Sequence, residues 1–313
     1  KTYEARKMIY LLLILLFIVG AFLILLANLQ GEYEVRRSSV FDHDIDTVFD
    51  KLRDFRSWPE WSPWLMHEPE TKLEYSDNTN EEGGFYTWDG KLVGAGKLMH
   101  EAFDRPNKIQ QRLEFTRPFK SICNVRFELD DISNNTTEVS WIMNGKMPFL
   151  MRFMVPKMKQ MIGQDYDLGL AMLAGALNPE TEHPKLDFVG ETSLENTTCL
   201  CQGFEGDIQA MQSAMKKVFP ELLNHVTENN GQIAGEPRTF YHKVDFKKMY
   251  FVCDMAVPVA DDINAGSYSL KALGSGKYYQ VDVTGSYEFL EQAWYSAMAH
   301  IFMLKLKMDK SRP

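Results

Sequence analysis

Residues 8–27, MIYLLLILLFIVGAFLILLA, carry no charged side chain. A helix of that length, at about 1.5 Å per residue, is about 30 Å long, the thickness of a bilayer's hydrocarbon core. Inside lipid only a helix or a closed barrel pairs every backbone polar group, so this segment is restricted to one long helix before the rest of the chain is considered. A cleaved signal peptide would have a shorter apolar region, about 7–15 residues, and a small-x-small cleavage site; ANLQGEYE after Ala27 offers none. Residues 1–31 are therefore expected to stay as an anchor. Lys1, Arg6 and Lys7 closely precede the span, whereas Arg36 and Arg37 lie further beyond it. The positive-inside bias then puts the N-terminus in the cytoplasm and everything after Gln30 outside. Lys1 is not an initiator methionine, so residues are expected before it.

At 313 residues the chain is longer than one ordinary domain, and two units are expected behind the anchor. A net charge of -9 opposes extended contact with phosphate backbones, so no nucleic acid is expected as a partner. The four cysteines, Cys123, Cys199, Cys201 and Cys253, are too few to staple a chain this long. On a strand Cys199 and Cys201 share one face with Cα atoms about 6.6 Å apart, a poor separation for a mutual disulfide. Buried free thiols are the first expectation, a bond from either to Cys253 the second and a metal site the last. No P-loop, G-x-S-x-G elbow, H-E-x-x-H or dinucleotide glycine signature occurs, and the histidines form no pair with ligand spacing. The Asp130-Asp131 and Asp261-Asp262 pairs read as solvated turns. No catalytic residue, metal site or cofactor is assigned.

The first unit, 32–178, opens with the strand-like YEVRRSSVF. A helix capped by Asp44 or Asp42 follows, with Ile45, Val48, Phe49 and Leu52 at helical spacing, ended by Pro59 and Pro63. Six β-rich runs then alternate with turn residues such as 104–107 and 133–135, and a long helical stretch, PFLMRFMVPKMKQMIGQDYDLGLAMLAGAL, is expected to be interrupted near Pro156 and Gly163. Gly94-Ala-Gly96 marks a tight bend or bulge. The segments FDKLRDFRSWPEWSPW, GGFYTWDG, GAGKLMHEAFDRPNKI and MPFLMRFMVPKMKQMIGQDYDLGLAML resemble the polyketide cyclase/dehydrase and lipid-transport family of the START-like (SRPBCC) superfamily. That resemblance implies an α+β helix-grip fold, with the last helix lying over a curved sheet around an apolar cavity, and it brings no general set of catalytic residues. Trp61, Trp64, Tyr86, Trp88, Phe115, Trp141, Met154 and Met158 supply the large and adaptable apolar surfaces such a cavity uses. The competing expectation is that they fill a core.

After the linker NPETEHP a second unit, 183–313, begins. A strand in SLENTTCLCQGF leads to a helix with Ile208, Met211, Met215, Val218, Phe219, Leu222 and Val226 on one face. Paired strands in PRTFYHKVD and KKMYFVCDMAVPV follow, then YSLKALGSGKYYQVDVTGS and a helix carrying Leu290, Trp294, Ala297, Met298 and Ile301. The repeated strand–helix–strands order is expected to give two similar halves in one sheet. GQIAGEPRTFYHKVD, MYFVCDMAVPV and GKYYQVDVTGSYEFLEQAW resemble the gyrase-inhibitor-like, AraC-type effector-binding family, which implies a pseudo-symmetric α+β unit with a ligand groove between its halves. Trp294 is the groove-floor position carried over, with Tyr241 a strand candidate. The family's last strand, with its ligand-meeting Glu, would follow MDKSRP, so the unit is expected to be truncated at its C-terminus.

The expectation from sequence is a non-catalytic, membrane-anchored binder of lipid-like or aromatic small molecules, in a bacterial inner membrane with its soluble units in the periplasm. Its partners are then the bilayer and a lipidic or aromatic molecule. The alternatives are an accessory subunit of an integral-membrane protein complex, and a hydrolase or cyclase acting on an apolar substrate.

Overall fold

The computed structural model describes residues 2–133, 135–245, 248–260, 263–273, 275–307 and 309. The chain divides into two compact units, Lys1–Thr181 and Glu182–Pro313. Part of the expected turn at 133–135, the Asp261-Asp262 pair and most of the terminal MDKSRP lie outside the described residues.

Helix α1 (Thr2–Asn28) is continuous. It leaves nearly all its apolar side chains exposed, with Leu26 the buried exception, and residues 6–28 are long and apolar enough to cross a membrane by length and composition.

Strand β1 (Glu32–Phe41) follows directly. Helix α2 (Ile45–Arg53) starts where expected, because the Asp44 carboxylate accepts the Thr47 amide at 2.9 Å. It stops earlier than the prolines imply. Asp54 takes an extended conformation and accepts from the Arg56 amide, starting a 3-10 turn over Phe55–Glu60 that contains Pro59. The six β-rich runs form β2 (Lys72–Tyr75), β3 (Phe85–Asp89), β4 (Ala95–Asp104), β5 (Lys108–Arg117), β6 (Ser121–Ser133) and β7 (Thr136–Lys146). Together with β1 they make a seven-stranded antiparallel sheet in the order β1-β7-β6-β5-β4-β3-β2. Alternation puts Ile109, Gln111, Leu113, Cys123, Val125, Phe127, Leu129, Val139 and Trp141 on the buried face.

Helix α3 (Val155–Leu177) crosses that face without interruption. Pro156 sits in the first turn, where its missing N–H costs nothing. At Gly163 the Arg37 guanidinium presses so close that a Cβ would lie 2.2 Å from it; this glycine makes room for a side chain from β1 rather than breaking the helix. The unit is a mixed α+β fold, a large antiparallel sheet under one long helix.

In the second unit β8 (Lys185–Leu194) is a strand that the sequence reading missed, and β9 (Thr197–Asp207) leads into α4 (Ile208–Glu228), capped by Asp207. Strands β10 (Arg238–Asp245) and β11 (Tyr250–Pro258) pair as expected. The run 268–286 splits into β12 (Ser269–Leu273) and β13 (Gly276–Thr284), followed by α5 (Leu290–Met303). Instead of one sheet there is a four-stranded sheet, β10-β11-β9-β12, and a two-stranded one, β13-β8. The register nevertheless runs unchanged from Leu273 opposite Thr197 to Gly276 opposite Leu194. The two sheets thus share one antiparallel register on either side of the break, and Gly276, at φ 142°, takes a conformation that favours glycine where β13 begins.

Candidate functional site

The interior of the first unit is an array of rings. Trp88 meets Phe115 at 5.6 Å and Tyr86 at 5.9 Å; Tyr86 meets Phe55 at 5.1 Å; Trp58 meets Trp61 at 4.7 Å; Trp61 meets Trp141 at 5.5 Å. On the helix side Tyr166 of α3 stacks on Trp141 with centroids 4.0 Å apart and planes 9° from parallel, and Trp64 meets Trp141 edge-on at 5.6 Å. Two glycines make the space. A Cβ on Gly96 would lie 2.4 Å from the Trp88 ring, and one on Gly169 would lie 2.8 Å from Trp141 and 3.1 Å from Pro63.

Six of the eight first-unit candidates, Trp61, Trp64, Tyr86, Trp88, Phe115 and Trp141, are thus brought into one array. Met154 and Met158 are not. The first is exposed and the second half-buried, at the start of α3 and away from the rings.

The array is apolar with conspicuous polar exceptions. Ser62 Oγ, Gln111 Oε1, Trp141 Nε1 and Tyr166 Oη are buried without a hydrogen-bond partner. A buried polar atom left unpaired costs about 1–3 kcal/mol, so the wall between α3 and the sheet pays repeatedly for groups that a phenylalanine or leucine would lack. Two titratable groups border it. His100, buried and stacked on Phe55 at 3.9 Å, donates from Nε2 to the Arg53 carbonyl at 2.7 Å, while its Nδ1 faces the Gln111 amide at 3.4 Å. Burial holds it down at about 4, so it stays neutral. Asp165 of α3 accepts from Trp64 Nε1 at 3.0 Å. Burial pushes its carboxyl up from 3.8 to about 7, against the lowering effect of that hydrogen bond. Sequence reasoning missed both, since neither sits in a motif.

The helix is pinned at the sheet edge by Arg37, whose Nε donates to Asp167 at 2.8 Å. The outer face of the sheet is different in kind: Arg36 and Arg126 bridge to Glu128 at 2.5 and 2.9 Å, and Asn144 donates to Glu34 at 2.9 Å. A shallow polar groove of about 480 Å³ beside this lattice is lined by residues such as Lys108, Gln110, Asn124 and Arg126.

In the second unit Tyr241 and Trp294 come together edge to face at 5.0 Å, with Phe251 5.6 Å from Tyr241 and 6.1 Å from Trp294. They pack against the core formed by Met211 and Met215 of α4 and Met255 of β11. The pleat puts Cys253 in that core, while Cys199 and Cys201 lie on the other face with Ala256. The expected second option, a bond from either to Cys253, is ruled out by that separation, and all four thiols are free and buried. On the same face as Cys201, the Asp254 carboxylate is 3% exposed and receives Lys271 Nζ at 2.6 Å and His242 Nε2 at 2.7 Å. Burial raises its pKa, but the Lys271 and His242 bonds outweigh it and leave the carboxyl below its ordinary value. The signal available in the sequence was a single acid inside the apolar run FVCDMAVPV.

No family model matches this chain, and no curated protein matches it. Solved structures that match part of it include CalU16 from Micromonospora echinospora, 14% identical over 48% of this chain and 86% of that one, with TM-score 0.33. A START superfamily protein from Mycobacterium smegmatis is 17% identical over 47% of this chain and 99% of that one, with TM-score 0.34. The Aha1 dimer from Colwellia psychrerythraea is 11% identical over 46% and 96%, with TM-score 0.35. At these values no residue or role is carried across.

Proposed function

We propose that this chain is a membrane-anchored, non-catalytic binding protein whose first unit holds a lipid-like or aromatic small molecule. In this reading α1 spans a bacterial inner membrane, the soluble units face the periplasm, and the guest lodges among Trp61, Trp64, Tyr86, Trp88, Phe115 and Trp141. The observation that carries it is the pair of stacked rings with orphaned polar atoms, Trp141 Nε1 and Tyr166 Oη. A ring face binds an apolar body, and an unpaired donor beside it binds one oxygen of the guest. The second unit is assigned an effector-binding role at Tyr241 and Trp294, resting on the sequence resemblance.

Tyr166→Phe separates this from a plain core. An orphaned hydroxyl in a core is a burden, so its removal leaves stability unchanged or higher. In a binding site the same change weakens the guest. Long-chain lipids or apolar dyes titrated against tryptophan emission should bind the variant more weakly while its melting temperature holds; equal affinity in both proteins would refute the assignment. A second reading, acid–base catalysis on an apolar substrate, is favoured by Asp165 alone, a carboxyl that changes charge near neutrality. Turnover abolished by Asp165→Asn would decide for it.

A further inference from the structure

The end of the sheet nearest α1 gathers exposed apolar side chains. The 3-10 turn Phe149–Met154 wraps the C-terminal end of α1. Arg152 Nη1 donates to the Leu29 carbonyl at 3.2 Å, and the Met147 amide donates to the Gly31 carbonyl at 2.8 Å. Around this joint the turn leaves Leu150 61% and Phe153 55% exposed. Pairing fixes what else lies at this end. Glu32 opposes Lys146 and Ser121 opposes Phe115, so the β5–β6 hairpin tip, with Phe119 72% exposed and Ile122 55% exposed, points the same way.

Charge follows the same axis. Residues 139–164 include Lys146, Arg152, Lys157 and Lys159 but no Asp or Glu, although the whole chain has a net charge of -9. The opposite end of the sheet carries Asp42, Asp104, Asp130 and Asp131 beside Arg105 and Lys108, while the near end has Glu32 paired with Lys146. The tether allows little separation. Only residues 29–31 join α1 to β1, and three extended residues span at most about 10 Å.

From exposed aromatics, basic side chains and a short rigid joint to the span, we infer that Phe149–Met154 and the Phe119 hairpin tip are a lipid-interface foot, seated at the headgroup level of anionic lipid. Exposed apolar groups with flanking lysines are the composition of interfacial segments. The joint holds them within reach of the interface. The inference rests on α1 being a membrane span, and it adds that the first unit is oriented on the membrane rather than swinging from it.

The test uses the full chain reconstituted in vesicles of phosphatidylethanolamine and phosphatidylglycerol. An environment-sensitive dye is attached at Phe153→Cys, Phe119→Cys, Leu16→Cys within the span, or Asp131→Cys at the far end. The four native thiols are buried, and dye taken up by the unsubstituted protein is subtracted. Lipids bearing a nitroxide near the headgroup should quench the labels at positions 153 and 119 and shift their emission to the blue. A nitroxide deep in the acyl chain should quench position 16, and position 131 should respond to neither. Labels at 153 and 119 that behave like 131, while 16 is quenched, would overturn the foot and leave the anchor intact. An unquenched label at 16 would overturn the anchor and the foot together.

Discussion

Between about pH 5 and 6.5 the first unit should show a stability that hardly changes, because a buried histidine and a half-buried carboxyl oppose each other. His100 is held at about 4 instead of 6.5, so the unfolded chain binds a proton that the folded one refuses, and this contribution to stability is lost as pH falls from 6.5 toward 4. Asp165 is pushed from 3.8 to about 7, so its contribution is present in acid and lost as pH rises toward 7. Working both through the linkage relation, each changes folding free energy by about 2 kcal/mol over that window, in opposite directions. His100→Gln should leave the Asp165 slope, with stability falling by about 2 kcal/mol as pH rises, and Asp165→Asn should leave the His100 slope, rising by the same amount. The window lies above the first unit's carboxylates whose pKa values are depressed, Glu34, Asp44, Glu68, Glu74 and Glu128, which titrate below it. Urea midpoints of the first unit's transition, taken at several pH values on the detergent-solubilised chain, read this out directly. Two variants with the same flat profile as the parent would refute the burial argument for both groups.

Lys271→Met should destabilise the second unit by about 1–3 kcal/mol at neutral pH, by leaving the buried Asp254 carboxylate with His242 as its one remaining charged partner, and the loss should shrink in acid as that group protonates. Asp254→Leu combined with Lys271→Met should recover much of it; a double variant worse than the single would sink the account. Burial, aided by Asp254, pushes the thiols of Cys201 and Cys253 up to about 12, so a thiol reagent at mildly alkaline pH should label neither until the protein unfolds. Rapid native labelling would contradict this. Trp294→Ala should lower the second unit's melting temperature, with a cost up to about 3 kcal/mol, because Tyr241 and Phe251 lean on the ring; an unchanged melting temperature would make Trp294 a groove residue and not a support.

The elements most legible in the sequence were those decided by local chemistry. Strands β2 to β7 alternate visibly, Asp44 announces α2, and the apolar face from Ile208 to Val226 announces α4. What escaped depends on partners far along the chain. Strand β8 is half-exposed and finds its mate, β13, some ninety residues later, so its alternation alone did not mark it. The continuity of α3 through Gly163 comes from Arg37 on β1. His100, Asp165 and Asp254 are single letters whose burial no local pattern reveals. The aromatic candidates were legible as a set because tryptophans recur on successive inward positions; the two methionines were not, since α3 turns its first half outward.

On the function proposed above, a guest would enter an interior that the rings otherwise fill by parting α3 from the sheet. Besides the apolar face of Leu168, Leu170, Met172 and Leu173, the specific contacts that hold the helix are made at Arg37, Trp64 and Trp141. The Arg37–Asp167 pair has 38% and 39% of its side-chain surfaces exposed, and a pair that open contributes at most about 1 kcal/mol. The Trp141–Tyr166 stack is worth about 0.5–1.5 kcal/mol beyond the area it covers, and it is offset by the unpaired atoms on those same two rings, at about 1–3 kcal/mol each. On that reading, a molecule that slides between the rings and meets Trp141 Nε1 and Tyr166 Oη would replace ring-to-ring contact with equivalent contact and add hydrogen bonds to two unpaired atoms. A core selected only for stability would place phenylalanine at position 166 and keep the stack without the burden.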